Sequence, residues 1–429
     1  MLSSITFKIY NVHLSKLADT LIGSEIVKLG GEIRALQQQG ANIYNFTVGD
    51  FDPNIFPIPT LLKEEIIKAY QNNFTNYPAA EGNLDLRTSI VDYIREFLSV
   101  DYTTDEILVA GGGRPLIYAI FRTLLDKGDT VLYAVPSWNN NHYTHFVEGK
   151  HVLIPTDAAT KFMPTAASIA PFIKEANLLC LCSPQNPTGT TLSAEELKKI
   201  CDLVVAENES RGEHQKPVYI MYDQMYSQLT FDAITHAHPV GVCPAVRPYT
   251  IYLDAISKSF AATGVRVGWA FGPSFIIAKM KAILTHLGAW APMAEQKGTA
   301  VFLKNKDAIV SYIDLFKKEI AFRLDAIYKG LIALKQQGFA VDAIAPEAAI
   351  YLTIQFDLVG KKTDQGVLLE KQSDVTSYLL KEAGLAIVPF SAFGADANSN
   401  WYRLSVGTCK KEDISAMLGS LKQALSELK

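Results

Sequence analysis

The run Ile251-Tyr252-Leu253-Asp254-Ala255-Ile256-Ser257-Lys258-Ser259-Phe260-Ala261-Ala262-Thr263-Gly264-Val265-Arg266-Val267-Gly268-Trp269-Ala270-Phe271 decides how the rest of the chain is read. It opens as a mostly apolar strand, Ile251 to Ile256, and closes as another, Val267 to Phe271. Strands that are apolar along their length, rather than at every second residue, are covered on both faces. That is the signature of a mainly parallel sheet between layers of helix. Lys258 stands just beyond the first strand, with no acid beside it and apolar residues following. A lysine kept from water has a lowered pKa and becomes a usable amine nucleophile, although an isolated lysine is far more often a solvated surface residue.

The same grammar extends outward. Ile107 to Val109, Val131 to Val135, Leu178 to Cys182 and Val218 to Tyr222 read as further buried strands, with helices between them. One helix is expected from near Pro115 to Asp126, with Leu116, Ile117, Ile120, Phe121, Leu124 and Leu125 at helical spacing. Another begins at Ser193, with Glu196 three residues on as a capping box and Leu197, Ile200 and Val204 as its apolar stripe. The fold class is therefore α/β. From Asp307 to Gln337 apolar residues step by three and four without a break, up to Gly338, which predicts a helix long enough to bridge two domains. Beyond it come a strand from Ile350 to Phe356, a helix near Val375 to Ala383, a strand from Trp401 to Val406 and a closing helix from Glu412. With a helix at Leu21 to Gln39 and a strand at Ile43 to Val48, this tail forms a smaller α+β domain. The expected division is 61–306 for the large domain and 1–60 plus 307–429 for the small one.

A chain of 429 residues with 48% hydrophobic and 20% charged residues is ordinary globular sequence, too long for one typical core. Forty basic against 44 acidic residues, a formal net charge of -4, excludes a broad electrostatic grip on nucleic acid or anionic lipid. No apolar run approaches the ~20 residues that cross a bilayer. Cys180, Cys182, Cys201, Cys243 and Cys409 are scattered and read as core thiols of a reducing compartment. The histidines form no helix-spaced pair with a nearby acid, so no metal site is expected. Met1 to Thr20 reads as mature sequence, which makes the cytoplasm the default location.

Three more segments could carry chemistry. Ala110-Gly111-Gly112-Gly113-Arg114-Pro115 joins a strand to a helix; glycines let a ligand approach the backbone, and the free N–H groups of a helix start attract an anion such as phosphate. It is neither a dinucleotide fingerprint nor a P-loop, and such a turn standing alone is most often structural. Ser183-Pro184-Gln185-Asn186-Pro187-Thr188-Gly189 follows a strand end, where ligands of parallel sheets sit, but is equally a turn rich in breakers. In Tyr222-Asp223-Gln224-Met225-Tyr226 the acid falls at another strand end; it either meets a cation or caps a helix.

In order and spacing, these four segments resemble the class I/II aminotransferases, a family of the fold-type-I pyridoxal-phosphate enzymes, from the Ile43 strand to Arg403. The resemblance implies a three-layer, seven-stranded, mainly parallel sheet and a bound pyridoxal 5'-phosphate. It implies that Lys258 bonds covalently to the cofactor, that Asp223 keeps its pyridine nitrogen protonated, and that Asn186 and Tyr226 hydrogen-bond its phenolic oxygen. Trp138 would stack on the ring. Gly111, Gly112, Gly113, Ser257 and Arg266 would hold the phosphate, joined by Tyr77 from a second subunit of a homodimer with shared active sites. Arg403 would grip the substrate α-carboxylate as a bidentate pair, beside Gly49. The reaction implied is a ping-pong exchange of an amino group between an L-amino acid and a 2-oxo acid.

Some positions depart from the family pattern. Ala255 replaces a frequent phosphate-binding hydroxyl, Gln224 a frequent glutamate, and Phe390 a frequent glycine. Arg114 stands where one aspartate-specific branch carries a lysine that meets the distal carboxylate; it either substitutes for that lysine or faces solvent. Two rival readings share the segments: another reaction of the same cofactor, such as a carbon–sulfur β-lyase, and a non-catalytic ligand-sensing domain of a regulator. Product analysis separates the first, since a lyase releases ammonia. The charge balance and the short stretch before Ile43 weigh against the second.

Overall fold

The structure, a computed structural model, describes residues 14–21, 23 and 25–429. The reading of Met1 to Thr20 as mature sequence falls largely on residues 1–13, outside the described residues.

Seven strands build the central sheet: β1 (Ile107–Ala110), β2 (Thr130–Val135), β3 (Lys150–Pro155), β4 (Ala176–Cys182), β5 (Tyr219–Asp223), β6 (Thr250–Ala255) and β7 (Gly268–Phe271). Their order across the sheet is β1-β7-β6-β5-β4-β2-β3. All neighbours are parallel except that β7 runs against both β6 and β1. Alternate side chains feed two cores. Leu132, Leu179, Ile220, Tyr222 and Tyr252 enter one, and Val131, Leu178, Met221, Ile251 and Leu253 the other. This is the three-layer arrangement that all-apolar strands require. The sequence reading missed β3. It is one of the two edge strands and is largely solvent-exposed, so Lys-His-Val-Leu-Ile-Pro never had to be apolar throughout.

The helix expected near Pro115 starts two residues earlier, spanning Gly113–Leu124, because Gly112 at φ 95° turns the chain straight from β1 into it. The Ala194–Ser210 helix is capped by Ser193, whose hydroxyl accepts from the Glu196 N–H at 3.1 Å. The reciprocal half of the expected capping box is absent. The Glu196 carboxylate instead accepts from the Ala166 N–H at 2.7 Å, a tertiary contact no local pattern reveals.

The long helix spans Lys306–Gln336. Ile309 and Ile313 pack into one core of the central sheet, and Phe316, Ile320, Leu324, Ile327, Leu331 and Leu334 into a separate cluster. That cluster lies under a four-stranded antiparallel sheet made of β8 (Val341–Ala343), β9 (Tyr351–Phe356), β10 (Val388–Pro389) and β11 (Trp401–Ser405), in the order β10-β11-β9-β8. Phe46, Phe51 and Phe56 join it from the N-terminal part of the chain. The strand expected over Ile43 to Val48 is only Tyr44–Asn45, paired parallel with Leu385–Ala386. The Asn45 side chain accepts from the Thr47 N–H and hydroxyl, and this Asx-type turn ends the pairing.

Candidate active site

Three neighbouring strands of the central sheet end at one place. β4 runs out at Cys182, opposite Asp223 at the end of β5, and β6 ends at Ala255 before the single turn Ile256–Ser259. Parallel neighbours in register deliver their carboxyl ends to a common edge, and here they deliver Asn186, Asp223 and Lys258. The Lys258 amine donates to the Gly49 carbonyl at 2.5 Å and lies 6.0 Å from the centre of the Phe51 ring. Burial pulls its pKa down to about 8; the nearby Asp50 carboxylate opposes this, while Arg403, Arg114 and Arg266 add to it. Burial pushes Asp223 up to about 6, against the Met225 N–H it accepts at 3.1 Å and the charge of Lys258. In both, burial outweighs the nearby opposite charge, and such shifts mark a candidate site.

Gly111 and Gly112 spend their N–H groups on the Ala289 and Ala110 carbonyls, at 2.9 and 2.7 Å. Free amides therefore come from the first turn of the Gly113–Leu124 helix, which has no intrahelical acceptors. What Gly112 contributes is room: a Cβ there would sit 2.2 Å from Arg266 Nη2. Arg266 is exposed and lies over this loop, donating to the Gly111 carbonyl at 2.8 Å and the Thr263 carbonyl at 2.6 Å. Ser257 is buried within the Lys258 turn, where the Ser259 hydroxyl has no partner.

Across the cleft, Arg403 on β11 is 2% exposed. It donates through Nη1 to Asn186 Oδ1 at 3.0 Å and through Nη2 to the Thr47 carbonyl at 2.6 Å, while its Nε has no partner. The Tyr351 and Phe393 rings both lie against the guanidinium, with ring centres 4.8 and 4.9 Å away. Tyr226 OH lies 2.5 Å from Tyr351 OH, both buried. Trp138 lies under the Arg114 guanidinium at 4.8 Å.

Gly49, Asn186, Asp223, Tyr226, Lys258 and Arg403 thus share one cleft, with Gly111, Gly112, Gly113, Ser257 and Arg266 at one end and Trp138 with Arg114 on its wall. Tyr77 stands apart. It is 81% exposed, its ring edge-on to Trp290 at 5.2 Å, beside the glycine run. Sequence reasoning missed Thr47, Asp50, Thr263 and the contact role of Tyr351. Thr263 donates to Asp50 at 2.6 Å, pinning the carboxylate near Lys258. No spacing signals such residues, because they meet only through the tertiary fold.

A lysine amine, an acid at the end of the neighbouring strand and a cation over a helix start thus gather at the carboxyl edge of an α/β sheet, the edge at which such sheets bind ligands. The sequence model for aminotransferases of class I and II matches residues 41–421, and the chain belongs to this family. It is 28% identical over 409 residues to an aspartate aminotransferase of Rhizobium meliloti (strain 1021), covering 94% of this chain and 92% of the relative. It is 29% identical over 384 residues to a probable aspartate/prephenate aminotransferase of Rickettsia felis, covering 88% of each. Among solved structures, the Rhizobium meliloti aspartate aminotransferase superposes with a TM-score of 0.88 at 26% identity, covering 97% of this chain and 100% of that one. The Thermus thermophilus aspartate aminotransferase with maleate gives 0.85 at 25% identity, over 96% and 99%. The protein is a pyridoxal-phosphate-dependent transaminase, exchanging an amino group between an amino acid and a 2-oxo acid by a ping-pong route. The lyase and sensor readings give way to it.

Proposed function

We propose that Lys258 is the residue that bonds to the cofactor and then moves the substrate proton, and that the amino donor is an acidic L-amino acid. The observation that carries the first part is the Lys258 amine itself. It is depressed toward neutrality, held at Gly49, and placed at a strand end beside Asp223. The residues present fit the cofactor. The bound group supplies an electron sink for the substrate carbanion. Asp223 holds the proton on the pyridine nitrogen. Asn186 and Tyr226 donate to the phenolic oxygen, and Trp138 covers the ring. Gly113 and the helix start, with Ser257 and Arg266, bind the phosphate, while Gly111 and Gly112, whose amides are taken, leave it room. Ala255 supplies no hydroxyl, so Arg266 and the helix start carry more of that load. Lys258, neutral above about pH 8, takes the Cα proton as a general base. Arg403 binds the α-carboxylate beside Gly49 with its paired N–H donors, already aligned by Asn186 and the Thr47 carbonyl.

For the donor, the supporting observation is Arg114. Its exposed guanidinium lies over Trp138, near enough to Lys258 to help depress that amine, and no carboxylate among the described residues forms an ion pair with it. A second substrate carboxylate satisfies it. The names of the relatives point the same way. The test is to mix the yellow enzyme with L-aspartate, L-glutamate, L-alanine and L-phenylalanine and follow the bleaching to the pyridoxamine form. Acidic donors should bleach it fastest, and Arg114→Ala should erase that preference. Equal rates for all four overturn the assignment.

We further propose a homodimer in which Tyr77 completes the partner's phosphate site. In support, Tyr77 is exposed beside the glycine run, and Tyr70 and Ile67 on the Thr60–Gln71 helix also leave apolar surface exposed. A monomer by sedimentation at micromolar concentration refutes this. The division into a large cofactor-binding domain, 61–306, and a small domain, 1–60 with 307–429, is supported by the separate clusters around the two sheets. The cytoplasm is supported by five free thiols.

A further inference from the structure

The strongest unassigned contact in the cleft joins Tyr226 to Tyr351. Tyr351 opens β9, 1% exposed, 125 residues away from Tyr226. Three neighbours fix its position. The Tyr226 hydroxyl is 2.5 Å from its own, Arg403 lies on its ring at 4.8 Å, and Gly49 is so close that a Cβ there would be 2.8 Å from the Tyr351 oxygen. No other partner of the Tyr351 hydroxyl is seen among the described residues.

A phenol has one proton to give and lone pairs to receive. With the two oxygens alone together in a buried setting, one donates to the other. If Tyr226 donated to Tyr351, it would have nothing left to give the cofactor. If Tyr351 donates, the Tyr226 proton is free to point into the cleft, and hydrogen bonds in series strengthen one another. We propose that Tyr351 is a positioning residue that donates to Tyr226, so that the Tyr226 proton is aimed at the cofactor's phenolic oxygen. This rests on the reading that Tyr226 touches that oxygen.

The contact also links two events. The guanidinium that receives the substrate carboxylate lies against the ring whose hydroxyl supports Tyr226. A cation near a phenol makes it a better donor, and neutralising that cation weakens the donation. Arg403 accordingly draws both tyrosines down, against a burial effect that holds them above their ordinary value. Occupying Arg403 with a carboxylate therefore loosens the Tyr226 donation and leaves more electron density on the phenolic oxygen. In the holoenzyme that oxygen would share a proton with the nitrogen joined to Lys258, and weaker donation from Tyr226 would leave that proton more tightly held.

The test is the pH titration of the visible absorption of the holoenzyme, which reports that shared proton without turnover. Tyr351→Phe keeps the ring and its packing on Arg403 and removes only the donor. We expect its midpoint to rise by about half to one pH unit, the size of one hydrogen bond, with melting temperature unchanged within error. Tyr226→Phe should raise the midpoint at least as far, and the double variant should add nothing to Tyr226→Phe. If Tyr226→Phe shifts the midpoint and Tyr351→Phe does not, the positioning role is overturned while Tyr226 stays on the cofactor. If Tyr226→Phe itself leaves the midpoint in place, the underlying reading falls and the proposal with it. If Tyr351→Phe shifts the midpoint equally in both backgrounds, it acts by another route and the proposal fails.

Discussion

The two sides of the cleft are built on different principles. On the central-sheet side, Asn186, Asp223 and Lys258 follow adjacent parallel strands whose register fixes their relative height. On the other side, Gly49, Tyr351 and Arg403 come from three separate stretches, stitched by side chains rather than by a shared ladder: Arg403 to the Thr47 carbonyl and Asn186, Tyr351 to Tyr226. In the function proposed above, one side carries the groups that handle protons and the covalent bond, the other the group that recognises the substrate anion. Rigid register suits chemistry, where small displacements are costly, and a stitched wall suits recognition, where the partner must enter and leave.

Replacing residues on each side should therefore fail in different ways. Lys258→Ala removes nucleophile and base together and should cut kcat by at least about 10^4-fold while the protein folds normally, as circular dichroism and turnover assays can check. A fall in KM alone would contradict the division. Arg403→Lys keeps the charge but loses the fork, and should lower kcat/KM by about 10- to 150-fold, mostly through KM. A loss confined to kcat would put Arg403 on the chemical side. Gly112→Ala displaces the Arg266 guanidinium and strains a backbone at φ 95°. Fluorescence titration of the apoenzyme should show cofactor affinity weakened by about 10-fold, equivalent to about 1.4 kcal/mol.

Two milder tests concern pH. Capture of added pyridoxal phosphate by the apoenzyme needs the neutral Lys258 amine, so its rate should climb as pH rises through about 8, not 10.5. Asp254, 2% exposed on β6, is pushed up to about 8 by burial. Its folded pKa lies above the unfolded value, so its contribution is intact below about pH 4 and fades as pH rises through 8. Asp254→Asn should leave the melting temperature unchanged at pH 4 and raise it progressively toward pH 8, as calorimetry can follow.

The central-sheet side was legible because its signals are local: an apolar run ends, and a polar residue stands at the end. The edge strand β3 escaped for the complementary reason, since solvent permits any side chain there. Arg403 was found only through the family resemblance; nothing in Trp401-Tyr402-Arg403-Leu404-Ser405 states that it meets Asn186, 217 residues away. Asp50 and Thr263 were invisible as site residues because their roles exist only after folding. The amides of Gly111 and Gly112 look free on paper, yet the Ala289 and Ala110 carbonyls claim them.

The helix Lys306–Gln336 is a stiff rod of about 46 Å whose first turns are cemented into one sheet's packing and whose remainder is cemented into the other's. Neither half of the molecule can be excised at a loop without sawing through this beam. Chimaeras with a sister enzyme should therefore be spliced within the rod, between Ile313 and Phe316, where its allegiance changes.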